Sequence, residues 1–295
     1  MIFKDISKLQ EIVEKNDIKN ALKFIKPPKK LNTIKTKRRS ALMVSGHQVK
    51  HLNKIDELPA DIIILNLEDG VPKEKKEIAR IMIGVFLSHL EELNKEIVIR
   101  INSLNEGGIE DIKFLEKFSF NAFRIPKIKT LEEIDNIFIL TEKQIHLSIE
   151  TKEAFFNLKN FIHPKLDAFY IGIYDLLNDL KISHSIIKTE NPLIHKILSD
   201  FSMTSRYINI DPIGFVYQHY KDIEGFKNWC LLQKNLALTG VGCITPTQVE
   251  IANKIFSEDI EFAKAIVKRF EQEGPFTIDG LYVDEPIYKN YKQLL

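Results

Sequence analysis

The sequence predicts an α/β protein built on a parallel (β/α)8 TIM barrel, and three observations lead there. Short runs rich in Ile, Val and Phe recur from Ser40 to Thr245, eight in all. They are continuous rather than alternating in apolarity, as strands buried on both faces are. Stretches with helical periodicity lie between most of them, long enough for crossover helices.

The runs are SALMVS (40–45), DIIILNL (61–67), EIVIRIN (96–102), AFRIPK (122–127), IHLSIE (145–150), AFYIGI (168–173), INIDPIGF (208–215) and GVGCIT (240–245). KEKKEIARIMIGVFLSHLEEL (73–93) shows the intervening helical spacing. Eight units over roughly 210 residues are close to the usual barrel size of about 250. A doubly wound open sheet would put a glycine-rich nucleotide loop after an early strand, and SGHQVKH is a poor match to one.

The barrel is flanked on both sides. Residues 3–25 carry apolar residues at helical spacing, from Ile6 to Ile25. KPPKKLNTIKTKRR (26–39) follows, with a Pro pair that breaks the helix and seven Lys or Arg residues. This strip reads as a solvated linker, with phosphate binding as the alternative. We divide the chain into an N-terminal helix and basic linker (1–37), the barrel (38–256), and a C-terminal helix and tail (257–295). The tail is not needed for closure, and packing on a neighbouring subunit is one use for it.

Composition narrows the function. At 44% hydrophobic, 28% charged and a net charge of +1, the chain is an ordinary globular protein without the basic excess of a nucleic-acid binder. No apolar run approaches the roughly 20 residues of a membrane span. Residues 1–17 lack the apolar core of a secretion signal. Cys230 and Cys243 form no metal spacing, which suits a reducing, cytoplasmic setting.

In a parallel barrel the active site sits at the C-terminal ends of the strands. Strand two ends in Asn66, Glu68 and Asp69, strand three in Arg100 and Asn102, and strand four in Pro126-Lys127. Strand five ends in Glu150, and Asp175 lies beyond strand six. Unpaired buried charges are costly, so this cluster points to a cation, an anionic substrate or both. Glu150 and Asp175 with waters suit Mg²⁺. Each also has a plainer reading, as a helix N-terminal acid for Glu150 and as an N-cap for Asp175. Glu68 and Asp69 suit a turn, and Arg100 a structural ion pair. His47 and His51 lack a third ligand for zinc.

These residues fall in RRSALMVSG, LNLEDGVPKEKKEIAR, VIRIN, FRIPKI, SIETKEAF, YIGIYDLLNDL, GVGCITPTQ and IDGLYVDEP. With these motifs in order, the chain resembles the citrate lyase beta-subunit group of the HpcH/HpaI aldolase family over about residues 38–290. The family includes malyl-CoA and citramalyl-CoA lyases and thioesterases. The resemblance implies a Mg²⁺-dependent barrel that cleaves or forms the carbon–carbon bond of a 3-hydroxy acid, often as a CoA thioester. It implies Glu150 and Asp175 as metal ligands and Arg100 as the group that polarises the substrate oxygen. Glu68 and Asp69 match the acids behind metal-bound waters, and Arg39 a residue near the substrate. Asp284 matches an aspartate that some members lend to a neighbour's site in a homotrimer.

The expected partners are a small oxo or hydroxy acid or its CoA thioester, with no nucleic acid and no membrane. Four positions depart from the pattern: Ser45 for proline, Asn66 for aspartate, Gly214 for an aspartate, and a strand-eight motif that reads Gly240 to Gln248 without its lysine and histidine, with Thr245 in the histidine's place. An acyl-CoA thioester hydrolase and a non-catalytic ligand-binding barrel are the alternatives to the lyase.

Overall fold

The computed structural model describes residues 2–258 and 260–295. Eight parallel strands close into a barrel in sequence order. They are β1 (Ser40–Ser45), β2 (Ile62–Asn66), β3 (Glu96–Arg100), β4 (Ala122–Ile125), β5 (Gln144–Ile149), β6 (Leu166–Ile171), β7 (Asp211–Gly214) and β8 (Gly240–Cys243). Pairing of Ala41 with Gly242 joins β1 to β8 and removes both edges. Six of the predicted runs contain their strand, and β5 and β6 begin one and two residues before theirs, because near-continuous β-branched residues suit a sheet covered on both faces.

The barrel interior is filled by one residue in two along each strand. Ala41, Ile62, Ile64, Val98, Ala122, Ala168, Tyr170 and Ile213 form one buried cluster, with Met43 against it. Charged side chains follow the same alternation at both ends. Arg100 pairs in register with Arg124, and Arg124 with His146, so these side chains project to the same face of the sheet.

The stretch 3–25 is two helices rather than one. Ile6–Glu14 ends at Asn16, whose φ of 52° reverses the chain, and the Asp17 side chain caps Ile18–Leu22. Lys75 Nζ donates to the carbonyls of Val13 and Glu14 at the end of the first helix. The basic strip is not a free linker. Its backbone bonds Ser88, Ser119 and Asn121, and Lys29 pairs with Glu91. Its last residues reach the N-terminal ends of the strands, where Arg38 is buried.

The chain separates into two compact units, one ending at Ile255 and the other Phe256–Leu295. The second holds the helix Ile260–Glu273, an antiparallel hairpin of β9 (Phe276–Ile278) and β10 (Leu281–Val283), and the helix Glu285–Gln293. Asp279 and Gly280 both have positive φ, the requirement of a tight two-residue hairpin turn. Ile266, Phe276 and Val283 form the centre of its core.

Candidate active site

At the C-terminal ends of the strands lies a cavity of about 550 Å³. Its lining includes Asp69, Arg100, Glu150 and Asp175. Glu68 joins them through an ion pair of 2.5 Å from Arg100 Nη2 to its Oε2. Five of the seven expected site residues therefore share one mouth.

The turn after β2 is built to present Glu68. Asn66 Oδ1 accepts the Glu68 N–H at 3.2 Å, while Asn66 Nδ2 donates to the Asp69 carbonyl. An ionised aspartate at 66 has no hydrogen to donate, so the amide gives this turn a second tie. Lys76 Nζ holds the carbonyls of Leu67 and Glu68 from below. Burial works against the Glu68 charge, but Arg100, the Asp69 N–H and Lys127 outweigh it and hold the carboxyl down at about 2. Asp69 is raised, by burial and by the Glu68 carboxylate it faces.

Glu150 is the opposite case. It is 3% exposed. Its Oε1 accepts the Lys127 N–H at 2.7 Å, and its Oε2 has Arg100 Nη2 at 3.8 Å. Lys127 turns that N–H inward with a φ of 57°, a strained conformation for a non-glycine residue. Gly172 makes the other wall, since a Cβ there would lie 2.7 Å from Glu150 Cβ. Burial pushes Glu150 up to about 7, and the Arg100 charge only partly opposes it. Asp175 also contributes to that rise. It is exposed, in the first turn of the helix Ile173–Asp179, whose N-cap is Gly172. The N-cap reading of Asp175 is thus replaced.

The other two are Arg39 and Asp284. Arg39 precedes β1, so it stands at the opposite end of the barrel from the mouth. Its guanidinium is bound to both oxygens of Asp61 at 2.8 Å. The expected substrate contact of Arg39 is corrected to a structural ion pair. Asp284 belongs to the second unit, where its Oδ1 caps the helix Glu285–Gln293 through the Ile287 N–H.

Arg124 was not among the expected residues, and Lys127, placed at the end of strand four, had no role assigned. Lys127 Nζ lies 2.9 Å from Glu68 Oε1. Arg124 lines the cavity, 6% exposed, its guanidinium 4.0 Å from the centre of the Tyr170 ring. The signal was present: Arg124 lies one register step from Arg100, at the same parity as Ser148 on β5 and Glu150 just beyond it.

The walls from β7 and β8 explain the departures there. A Cβ on Gly214 would fall 2.0 Å from Gln233 Oε1, which accepts the Phe215 N–H. Thr245 Oγ1 accepts the Gln248 N–H, and Gln248 ties Ile244 to Tyr217.

A second acid cluster sits at the other end. Donor atoms of Glu96, His146 and Asp167 lie within 4.8 Å of one another, a spacing that would suit a cation. Arg38 already stands there, on Glu96 at 2.6 Å, on Asp167 and on Asp211 at 2.8 Å. It satisfies the carboxylates, while His146 Nε2, 3.8 Å from both Glu96 and Asp167, has no hydrogen-bond partner.

A closed (β/α)8 barrel with acids and arginines gathered at its C-terminal mouth has the layout of a barrel enzyme. The chain belongs to the HpcH/HpaI aldolase/citrate lyase family, whose model matches residues 39–246. A (3S)-malyl-CoA thioesterase of Cereibacter sphaeroides is 26% identical over 83% of this chain and 89% of its own. The mitochondrial citramalyl-CoA lyase of Rattus norvegicus is also 26% identical, over 88% and 85%. The protein CitE of Mycobacterium tuberculosis, solved with magnesium, acetoacetate and coenzyme A, shares the fold. Its TM-score is 0.69 at 18% identity, over 86% of this chain and 96% of that one. Among the described residues no helix is long and apolar enough to cross a membrane.

Proposed function

We propose that the mouth is the site of a Mg²⁺-dependent carbon–carbon lyase or aldolase acting on a small oxo or hydroxy acid or its CoA thioester. One observation carries this reading. Glu150 is a buried carboxylate held by a single N–H and one distant guanidinium, beside Asp175 at the cavity wall. A buried carboxylate so weakly compensated suits a cation, and two carboxylates with water are the donor set of Mg²⁺.

Glu150 and Asp175 would hold the ion, with Glu68 and Asp69 accepting from its waters. Bound there, Mg²⁺ would act as a Lewis acid toward the enolate charge of retro-aldol cleavage. The remaining work falls to the chain. Arg100 Nε is buried without a partner, so it can donate to the substrate oxygen as negative charge develops. Glu68, on the Nη2 of the same guanidinium, fixes that orientation. Asp284, from a neighbouring copy in a homotrimer, is our candidate for the proton transfer.

Relatives of both activities support this reading, and those named malyl-CoA thioesterase favour hydrolysis as the second one. Purified protein with Mg²⁺ should turn over a member of a panel of malyl-, citramalyl- and citryl-CoA and free 2-oxo acids with aldehydes. Glu150→Gln should abolish it. No turnover together with no Mg²⁺ binding would remove the proposal. Asp284→Asn keeps a good helix cap, so loss of hydrolysis or cleavage in that variant reports on chemistry. A monomer by light scattering would remove the shared site.

A further inference from the structure

Arg124 takes no part in the ion pairs of the mouth. Its Nε donates to Ser148 Oγ at 2.8 Å, and the Tyr170 ring covers one face. Among the described residues no carboxylate lies within ion-pair distance of it, and its two Nη nitrogens have no protein acceptor. Yet the side chain is 6% exposed and sits one strand from Arg100, another cation. Burial, and then the Arg100 charge, bring it down only to about 10, so it is charged at neutral pH. A buried cation left without an anion costs several kcal/mol. The fold offsets only part of it: Ser148 is neutral, and the ring contact contributes about 1–2 kcal/mol.

The charges of the mouth point the same way. Glu68, Asp69, Glu150 and Asp175 face Arg100, Arg124 and Lys127. Four against three leaves one negative charge, and a divalent ion turns that into one positive charge. An anion beyond the metal's own ligands completes the balance, and Arg124 is the cation still open to it.

We propose that Arg124 is a specificity-determining residue that binds a second carboxylate of the substrate, so that the site selects a short dicarboxylic oxo or hydroxy acid. This rests on the mouth being the substrate site described above. The planar Nη edge of a guanidinium matches a carboxylate bidentately. With Nε fixed on Ser148 and one face on Tyr170, that edge is already oriented, so little rotamer freedom is lost on binding. A second carboxylate on Arg124 leaves the first, with its neighbouring oxygen, for the Glu150–Asp175 end. Met43 and Ile171 bound the same cavity with apolar surface, which suits a short carbon chain between the two anionic ends.

Titration calorimetry with Mg²⁺ present tests this using two inert four-carbon probes, succinate and butyrate. Wild type should bind succinate at least about 10-fold more tightly. Arg124→Met should weaken succinate by about 30-fold or more, as loss of one partner of a buried charge pair does, and change butyrate by less than about 3-fold. Arg124→Lys should restore part of the difference. Equal affinity for the two probes in wild type overturns the proposal without need of a variant. So does equal weakening of both by Arg124→Met. If the preference for succinate holds while no panel substrate turns over, the lyase reading falls and Arg124 keeps its role. If Mg²⁺-dependent turnover survives Arg124→Met with an unchanged KM, the lyase stands and the Arg124 proposal falls.

Discussion

The two ends of the barrel use the same residue types to opposite effect. At the N-terminal end Arg38 is buried and every one of its nitrogens meets an oxygen: Glu96 on Nε and Nη2, Asp167 and Asp211 on Nη1. Lys35 adds a second cation to Asp167 and Asp211. At the C-terminal mouth Arg100 Nε has no partner, Glu150 has one close donor, and Arg124 faces the cavity. Charge that is satisfied inside the chain supports the fold. Charge that is left over is available to a ligand. The difference is between a closed network and an open one, with burial alike in both.

The largest effect should come from opening the closed end. Arg38→Met leaves Asp167 and Asp211 with Lys35, and the buried Glu96 with the Thr36 hydroxyl and no cation beyond His146 at 3.8 Å. Breaking a buried pair in this way costs about 3–5 kcal/mol, read as a lower urea midpoint. Burial works against the Arg38 charge, but Glu96 and Asp167 outweigh it and raise its pKa, so the guanidinium is a cation over the whole working range. Arg124→Met at the other end should cost less than about 1 kcal/mol or stabilise, because it removes an uncompensated cation. Equal losses from the two variants would erase the distinction between the ends.

The next effect is in pH and metal. The Glu150 carboxyl rises from 4.5 to about 7 on folding, so the folded state binds the proton more tightly than the unfolded one. Without Mg²⁺, stability is then highest below about pH 4.5 for this group and falls as pH rises toward about 7. That rise corresponds to about 3 kcal/mol. Glu68 runs the other way: held down at about 2, it contributes stability above 4.5 that is lost in acid. Glu150→Gln should remove the slope between pH 5 and 7 and leave the acid limb. In wild type, Mg²⁺ affinity should fall about tenfold per pH unit below 7, since the ion displaces one proton. A pH-independent affinity would show that Glu150 is not a ligand.

Much of this was legible in the sequence, and the limits have physical causes. The strands were readable because a sheet buried on both faces leaves runs of Ile and Val with no alternation. Glu68, Arg100, Glu150 and Asp175 could be placed at one mouth because strand ends fix their height. Arg39 precedes the run 40–45, so its height at the bottom of the barrel was legible too, and only the resemblance placed it near the substrate. The linker read as solvated because its ties are backbone bonds to Ser88, Ser119 and Asn121, which leave no mark in composition. Arg124 was in plain view within AFRIPK. It lies inside its run and not at the end, so only the inward parity that Arg100 and Glu150 define together marks it.

The smallest and most local test is at Gly172, the wall against which the open end is built. A methyl there would meet Glu150 Cβ at 2.7 Å and Oε2 at 3.0 Å. Glu150 cannot retreat freely, because its other oxygen is on the Lys127 N–H. Gly172→Ala should therefore cost about 1–3 kcal/mol, the usual range for overpacking a tight site, and weaken Mg²⁺ together with any turnover. Arg38 and its partners lie at the other end of the barrel, so Gly172→Ala and Arg38→Met should add when combined. Non-additive losses would mean that the two ends are coupled through the Arg124–Tyr170–His146 column, which runs between them by a ring contact and a 3.3 Å approach of Tyr170 Oη to His146 Nδ1. Additive losses would confirm that the network below sets stability and the open site above is tuned by its own walls.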